Sequence, residues 1–286
     1  MSSDARDAGS RDVPGDGWAA GTGGIFPFPR SRGAQVSPRR LGRVRGGAVL
    51  AVLLSAGGAN AVSVSVGYSF ACAVLNDGKL MCWGSNTNGQ LGVGSVGGSS
   101  TRPQNVDLGT GRTAKAVSCG VSHACAILDD DTLKCWGLNN KYQLGYNDQT
   151  LRSAPEATAV VNLGDNYARK AKAVSCGSRA SDSSYGGVTC AIMDNDALKC
   201  WGTNTDYALG HGSLGYDWDK TADWNGALNL GSGRTAKMVS AGAGENYFHA
   251  CAILDDNTVS VGVAMIGARW GPAAVQVLPV LRLRCH

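Results

Sequence analysis

Residues 125–145 read CAILDDDTLKCWGLNNKYQLG, and this string decides the fold because it recurs. Residues 72–92 read CAVLNDGKLMCWGSNTNGQLG and residues 190–210 read CAIMDNDALKCWGTNTDYALG. A fourth copy opens at Cys251 as CAILDDNTVS before the match ends. A second segment keeps the same order: residues 108–120 read LGTGRTAKAVSCG and residues 230–242 read LGSGRTAKMVSAG, with a looser copy over residues 163–177. Two segments recurring in one order mark a repeat protein, in which each unit buries its apolar face only by packing on its neighbours.

Within a unit the local signals are β. Residues 124–128 and 133–136 are short, apolar-rich and separated by the polar Asp129, Asp130 and Asp131. In the first copy the same turn is Asn76-Asp77-Gly78, which suits a three-residue hairpin loop with glycine at the left-handed position. Pairing Leu75 with Lys79 then sets Cys72 opposite Cys82, and the same count sets Cys125 opposite Cys135 and Cys190 opposite Cys200. Cross-strand cysteines can meet the geometry of a disulfide, and each bridge would close a short loop for about 2–3 kcal/mol of stabilisation. Buried free thiols are the competing reading, since cysteine packs as a small apolar residue. Recurrence at one spacing, near a possible export signal, favours the disulfides.

The remaining cysteines are not equivalent. Cys251 faces Val261 where its partner would stand, and Cys285 lies in a divergent tail. Cys119 and Cys176 share a repeat position with Val66 and Ala241, which reads as packing near the centre of the assembly. His123 and His249 stand where other copies have Phe70 and Val188, so they too read as structural. His211 falls in a variable loop and His286 is terminal. No second Cys or His pair stands at zinc-ligand spacing. No nucleophile elbow, phosphate-binding glycine loop or dinucleotide fingerprint is present. The sequence therefore calls for no catalytic residue, metal or cofactor, and the chain reads as non-enzymatic.

Glycine, at 41 of 286 residues, is about twice its usual frequency, as many tight turns between short strands require. The net charge of +4 is unevenly spread. Residues 1–61 and 261–286 are basic, whereas the repeats between them hold an excess of acid. A nucleic-acid-binding domain concentrates its basic residues on the folded surface, so no nucleic-acid partner is expected.

Three regions follow. Residues 1–61 form a disordered or targeting segment. In it Arg39, Arg40, Arg43 and Arg45 precede an apolar run at residues 48–56, and Ala59-Asn60-Ala61 resembles a signal-peptidase site. The run is too short to span a bilayer. Its alternative reading is a strand of the first repeat. Residues 62–260 hold the repeats, at about 62–107, 108–162, 163–229 and 230–260. Residues 261–286 depart from the pattern, either as an artefact of the gene reading or as a genuine C-terminal strand or anchor.

Trp83, Trp136 and Trp201 recur after the second cysteine, each followed by Gly84, Gly137 or Gly202, with Asn86, Asn139 and Asn204 two residues further on. Ring burial between sheets and an exposed aromatic ligand face are the two readings of these tryptophans. Unit lengths differ only in loops: the third unit inserts SRASDSSYGGVT before Cys190 and HGSLGYDWDKTADWNGALN after Gly210. Variable loops on a constant scaffold are where specificity sits. That makes Arg179, Asp182, Tyr185, Tyr216, Trp218 and Trp224 the candidate partner-binding residues.

The run G-x-x-H-x-C-A-I-L-x-x-x-x-L-x-C-W-G-x-N-x-x-x-Q-L-G over residues 120–145 resembles the repeat of the regulator of chromosome condensation family, especially the cysteine-bearing variants of exported proteins. The resemblance implies an all-β fold, a β-propeller of four-stranded blades around a central channel. Members usually have seven blades, so about four repeats imply an incomplete ring that needs further repeats or self-association to close. Members of the family include an exchange factor for a small GTPase, propeller domains of ubiquitin ligases, a photoreceptor and a secreted enzyme inhibitor, so function does not transfer with the fold. The expected function is a scaffold binding a protein partner or extracellular ligand through its variable loops, secreted or in an organelle lumen. The alternative is guanine-nucleotide exchange on a small GTPase, in the cytoplasm or nucleus.

Overall fold

A computed structural model describes residues 61–177, 186–203, 209, 226–243, 248–263 and 276–278. Among them there is no helix. Fourteen strands form four antiparallel meanders. The first blade is β1 (Ala61–Val66), β2 (Phe70–Leu75), β3 (Leu80–Ser85) and β4 (Ser99–Val106). The second is β5 (Ala114–Cys119), β6 (His123–Leu128) and β7 (Leu133–Gly137), and the third is β8 (Ala171–Gly177), β9 (Val188–Met193) and β10 (Leu198–Gly202). The fourth is β11 (Ala236–Ala243), β12 (Phe248–Leu254), β13 (Val259–Val263) and β14 (Gln276–Leu278). The sheets are not closed into a ring.

The repeated string is one hairpin of each blade. Leu75 N–H donates to Lys79 O at 2.9 Å, so the first loop has three residues, and Gly78 takes a left-handed φ of 76°. Asp131, Asp196 and Asn257 hold the same conformation in the other blades. Asp and Asn tolerate it better than other side-chain-bearing residues. With the loop length constant, the register is constant: Cys72 pairs with Cys82, Cys125 with Cys135 and Cys190 with Cys200. Cys251 pairs with Val261.

The first and last boundaries shift slightly from the sequence reading. β1 begins at Ala61, β13 runs across position 260, and residues 276–278 pair on β13. The segments 1–60, 178–185, 204–208, 210–225, 244–247, 264–275 and 279–286 lie outside the described residues. So do the apolar run at 48–56, the proposed cleavage site except Ala61, Asn204, and all six candidate partner-binding residues.

The core lies between blades. β1 packs beside β5, β5 beside β8, and β8 beside β11, so the first strand of each blade is the inner one. One apolar cluster joins Phe70, Val74, Leu80 and Leu91 of the first blade to Val117, Cys119, Leu128 and Trp136 of the second. Equivalent clusters fill the second and third seams. The middle strands β6 and β9 are buried on both faces along their whole length, as expected for sheets covered on either side.

Candidate functional site

Each seam is built from the same parts. The asparagine of W-G-x-N bends the chain after the hairpin. Asn86 Oδ1 accepts from Leu91 N–H at 3.0 Å while its Nδ2 donates to Ser95 O at 3.0 Å. Asn139 repeats this with Leu144 N–H at 3.0 Å and Asp148 O at 2.7 Å. The bend presents a glutamine carbonyl to the following blade. Trp136 Nε1–H donates to Gln90 O at 3.1 Å, and Trp201 Nε1–H donates to Gln143 O at 3.1 Å. Both indoles are fully buried. The packing reading of these two tryptophans is the correct one, and an exposed aromatic ligand face is not formed by them.

Two glycines make this approach possible. A Cβ on Gly92 or Gly145 would lie 2.6 or 2.8 Å from the next blade's indole Nε1. On Gly137 it would lie 2.4 Å from Ser122 O, at a φ of 100°. Trp83 has no described preceding blade to receive it and is only half-buried.

On the inner strands a serine ladder ties blade to blade. Ser65 Oγ accepts from Cys119 N–H at 2.9 Å, Ser118 Oγ from Cys176 N–H at 2.9 Å, and Ser175 Oγ from Ala241 N–H at 2.8 Å. Sequence reasoning missed this ladder, although its signal was present: a serine recurs at one register position in all four units.

The three opposed cysteine pairs stand as disulfides, with Cα atoms 4.0–4.1 Å apart. Each packs in a seam cluster. Cys119 and Cys176 are buried free thiols, and Cys251 is a half-buried one. Burial pushes Cys119 well above the usual thiol range and Cys176 up to about 12. Thiolate is the form that attacks disulfides, so these two are held inert beside the bridges.

His123 is buried in the second seam, and burial lowers its pKa to about 4. Thr189 Oγ donates its one hydrogen to Gln143 O at 2.8 Å, so it accepts from His123 Nε2–H across 3.0 Å. Gln143 O thereby receives both a threonine and a tryptophan. Lys134 is equally structural: its ammonium donates to Leu108 O, Glu156 O and Ala157 O at 3.2, 2.7 and 3.0 Å. Burial lowers its pKa. Among the described residues no cluster of three His, Cys, Asp or Glu could hold a metal.

The two ends of the blades differ. At the hairpin end, basic and acidic residues pair in every repeat. Arg112 pairs with Asp129 and Asp130, Lys115 with Asp131, Lys172 with Asp196, and Arg234 with Asp255 and Asp256. These partly exposed pairs contribute little stability, but they leave that end without a basic field. The opposite end carries the W-G-x-N bends and the connections between inner and middle strands. There Thr203 N–H donates to Gly187 O at 2.9 Å, tying the end of the first third-blade insertion to the chain that leaves β10. The segment 178–185 connects β8 to β9 from this end, and the chain leaves β10 at this end before the segment 210–225.

The repeat description "Regulator of chromosome condensation (RCC1) repeat" matches residues 61–90 and 114–143, and in a second form residues 77–127 and 130–181. Residues 61–181 carry regulator of chromosome condensation repeats. The chain's relatives include the Ultraviolet-B receptor UVR8 of Arabidopsis thaliana, 34% identical over 151 residues, covering 53% of this chain and 31% of the receptor. Human E3 ubiquitin-protein ligase HERC2 is 28% identical over 202 residues, covering 70% of this chain and 4% of the ligase. The chain thus spans less than a third of either relative. Human WBSCR16 has a similar fold, with TM-score 0.56 and 16% identity over 71% of this chain and 47% of that one. Yeast RCC1 (Prp20), solved bound to Kap60, gives TM-score 0.55 and 16% identity over 71% and 42%. The family fold is the β-propeller, as the resemblance implied.

Proposed function

We propose that the chain is a non-enzymatic scaffold of a secretory or lumenal compartment that binds a protein partner or extracellular ligand through the loop end of its blades. The observation carrying this reading is the contrast within the third blade. Its strands, disulfide and tryptophan repeat those of the second, while its two long insertions leave the scaffold at one end. Constant framework with variable loops is the design of a recognition surface. Three cross-strand disulfides fit an oxidising compartment.

Alkylation of the natively expressed protein without reductant, followed by peptide mapping, tests the compartment. Blocked Cys72 and Cys82 are expected, and quantitative labelling of both would sink the exported reading. Replacing residues 178–187 by the short connection Val121-Ser122 tests the surface. The variant is expected to keep its unfolding midpoint and lose partner binding.

A second reading, nucleotide exchange on a small GTPase, rests on the fold likeness to Prp20p, which is described with its binding to Gsp1p and histones. Accelerated release of labelled nucleotide from a small GTPase would establish it in place of the first.

A further inference from the structure

The four blades make three seams, and among the described residues one half-seam on each outer blade has no facing blade. On β1 the side facing a preceding blade carries Val64 and Val66, exposed by 46 and 50%. The residues equivalent to Val64 and Val66 in the second blade are Val117 and Cys119, exposed by only 7 and 4% because they plug the first seam. Registers make the equivalence firm: Val66 pairs with Ala71 as Cys119 pairs with Ala124. Val66 N–H therefore occupies the place from which Cys119, Cys176 and Ala241 donate to a serine hydroxyl of the blade before.

The complementary half is on β11. Ser240 holds the ladder position of Ser65, Ser118 and Ser175, and it is exposed where those three are half-buried. Met238 beside it is 61% exposed, whereas Ala116 and Ala173, at its position, pack against the following seam. One end of the array thus offers a donor and two valines. The other offers an acceptor and a thioether that adapts to irregular apolar surfaces.

We propose that two copies of this chain associate head to tail, β11 of one against β1 of the other, with Ser240 Oγ accepting from Val66 N–H and Val64 packing beside Met238. The occupant is a second copy because the chain itself carries both halves of a contact it already makes three times. Two such contacts bring eight blades together, within the four to eight that propellers use. If the rotation does not close, the same heterologous contact generates an open chain of copies. The tryptophan of the new seam would be Trp83 of the following copy, and the sequence after β13 carries no Q-L-G bend to offer it a glutamine carbonyl. The new seam is therefore weaker than the internal seams, and assembly depends on concentration.

Sedimentation of the full 286-residue chain across a concentration series tests this. Wild type is expected to shift from monomer to dimer or longer assemblies. Val64→Asp and Met238→Asp each destroy one half-seam and are expected to stay monomeric alone, with unchanged circular dichroism. An equimolar mixture of the two retains one good contact and is expected to yield a dimer that grows no further. A wild type that remains monomeric at every concentration overturns the proposal. So does an assembly that Met238→Asp leaves intact, since that marks a two-fold contact of β1 on β1. Neither outcome bears on ligand binding at the loop end.

Discussion

The seam between the second and third blades and the one between the third and fourth are made from the same repeat, yet only the first is complete. Between blades two and three stand a ladder serine, an indole donating to a glutamine carbonyl, and a buried histidine joined to threonine. Between blades three and four, among the described residues, the serine survives and the other two do not: Ser175 holds Ala241, Gly262 replaces the tryptophan, and Val188 and Ala250 stand where the histidine and threonine do. The comparison separates what a seam needs in order to exist from what makes it strong. Apolar plugging and one backbone hydrogen bond define its register. The indole and the histidine–threonine pair add the rest.

The largest way to break the strong seam is Trp201→Ala. Removing a fully buried indole costs about 3–5 kcal/mol through lost burial and an unfilled cavity, and it leaves the Gln143 carbonyl one donor short. Chemical denaturation should show a lower midpoint, with protection from hydrogen exchange lost first along β9 and β10. An unchanged midpoint would mean that the seam does not depend on its tryptophan.

The fourth blade itself can be strengthened instead. Val261→Cys sets a thiol opposite Cys251 in the register that the three existing bridges use. Closing that loop should contribute about 2–3 kcal/mol. Intact-mass measurement checks for loss of two hydrogens, and limited proteolysis checks for later cleavage of the fourth blade. Persistence of two alkylatable thiols at these positions would show that β12 and β13 are not held in the hairpin register.

How much of this was legible in sequence follows from periodicity. The hairpins, their cysteine register and the recurrent tryptophans were readable because loop length fixes register and register fixes which side chains oppose. The serine ladder was not read, because a serine on a strand looks like any exposed polar residue until the neighbouring blade is seen to supply an N–H. Lys134 was equally opaque. A lysine in an otherwise apolar strand suggests solvent, yet three carbonyls from two different loops surround it. The insertions were legible as departures from the repeat, but a departure carries no register, so their residues gained no geometry.

The strong seam also contains a proton-sensitive element. His123 is neutral when folded, with a pKa near 4 against an ordinary 6.5, so the unfolded chain takes up its proton first. Its contribution is fully present above about pH 6.5 and is lost as pH falls toward 4, by roughly 3 kcal/mol. Phe70 fills the same position in the first blade, so His123→Phe should flatten this part of the stability profile. Asp129 and Asp130 beside Arg112, and Asp148 beside Arg152, sit below their usual range and act at lower pH. If wild type and His123→Phe lose stability in parallel between pH 6.5 and 4, the histidine is not the responsible group.

The smallest expected effect is the most discriminating one, because it compares a single atom in two settings. Ser118→Ala removes the acceptor for Cys176 N–H inside a closed seam, where no water replaces it. A buried donor left unpaired costs about 1–3 kcal/mol, with the low end expected where the seam can relax. Ser240→Ala removes the same hydroxyl where it is exposed, so the monomer's thermal midpoint should not move. Equal losses at both positions would mean that the hydroxyl acts within its own strand. A loss at Ser118 alone makes the ladder a contact between blades, and it leaves Ser240 as a position whose cost appears only when another blade is brought against it.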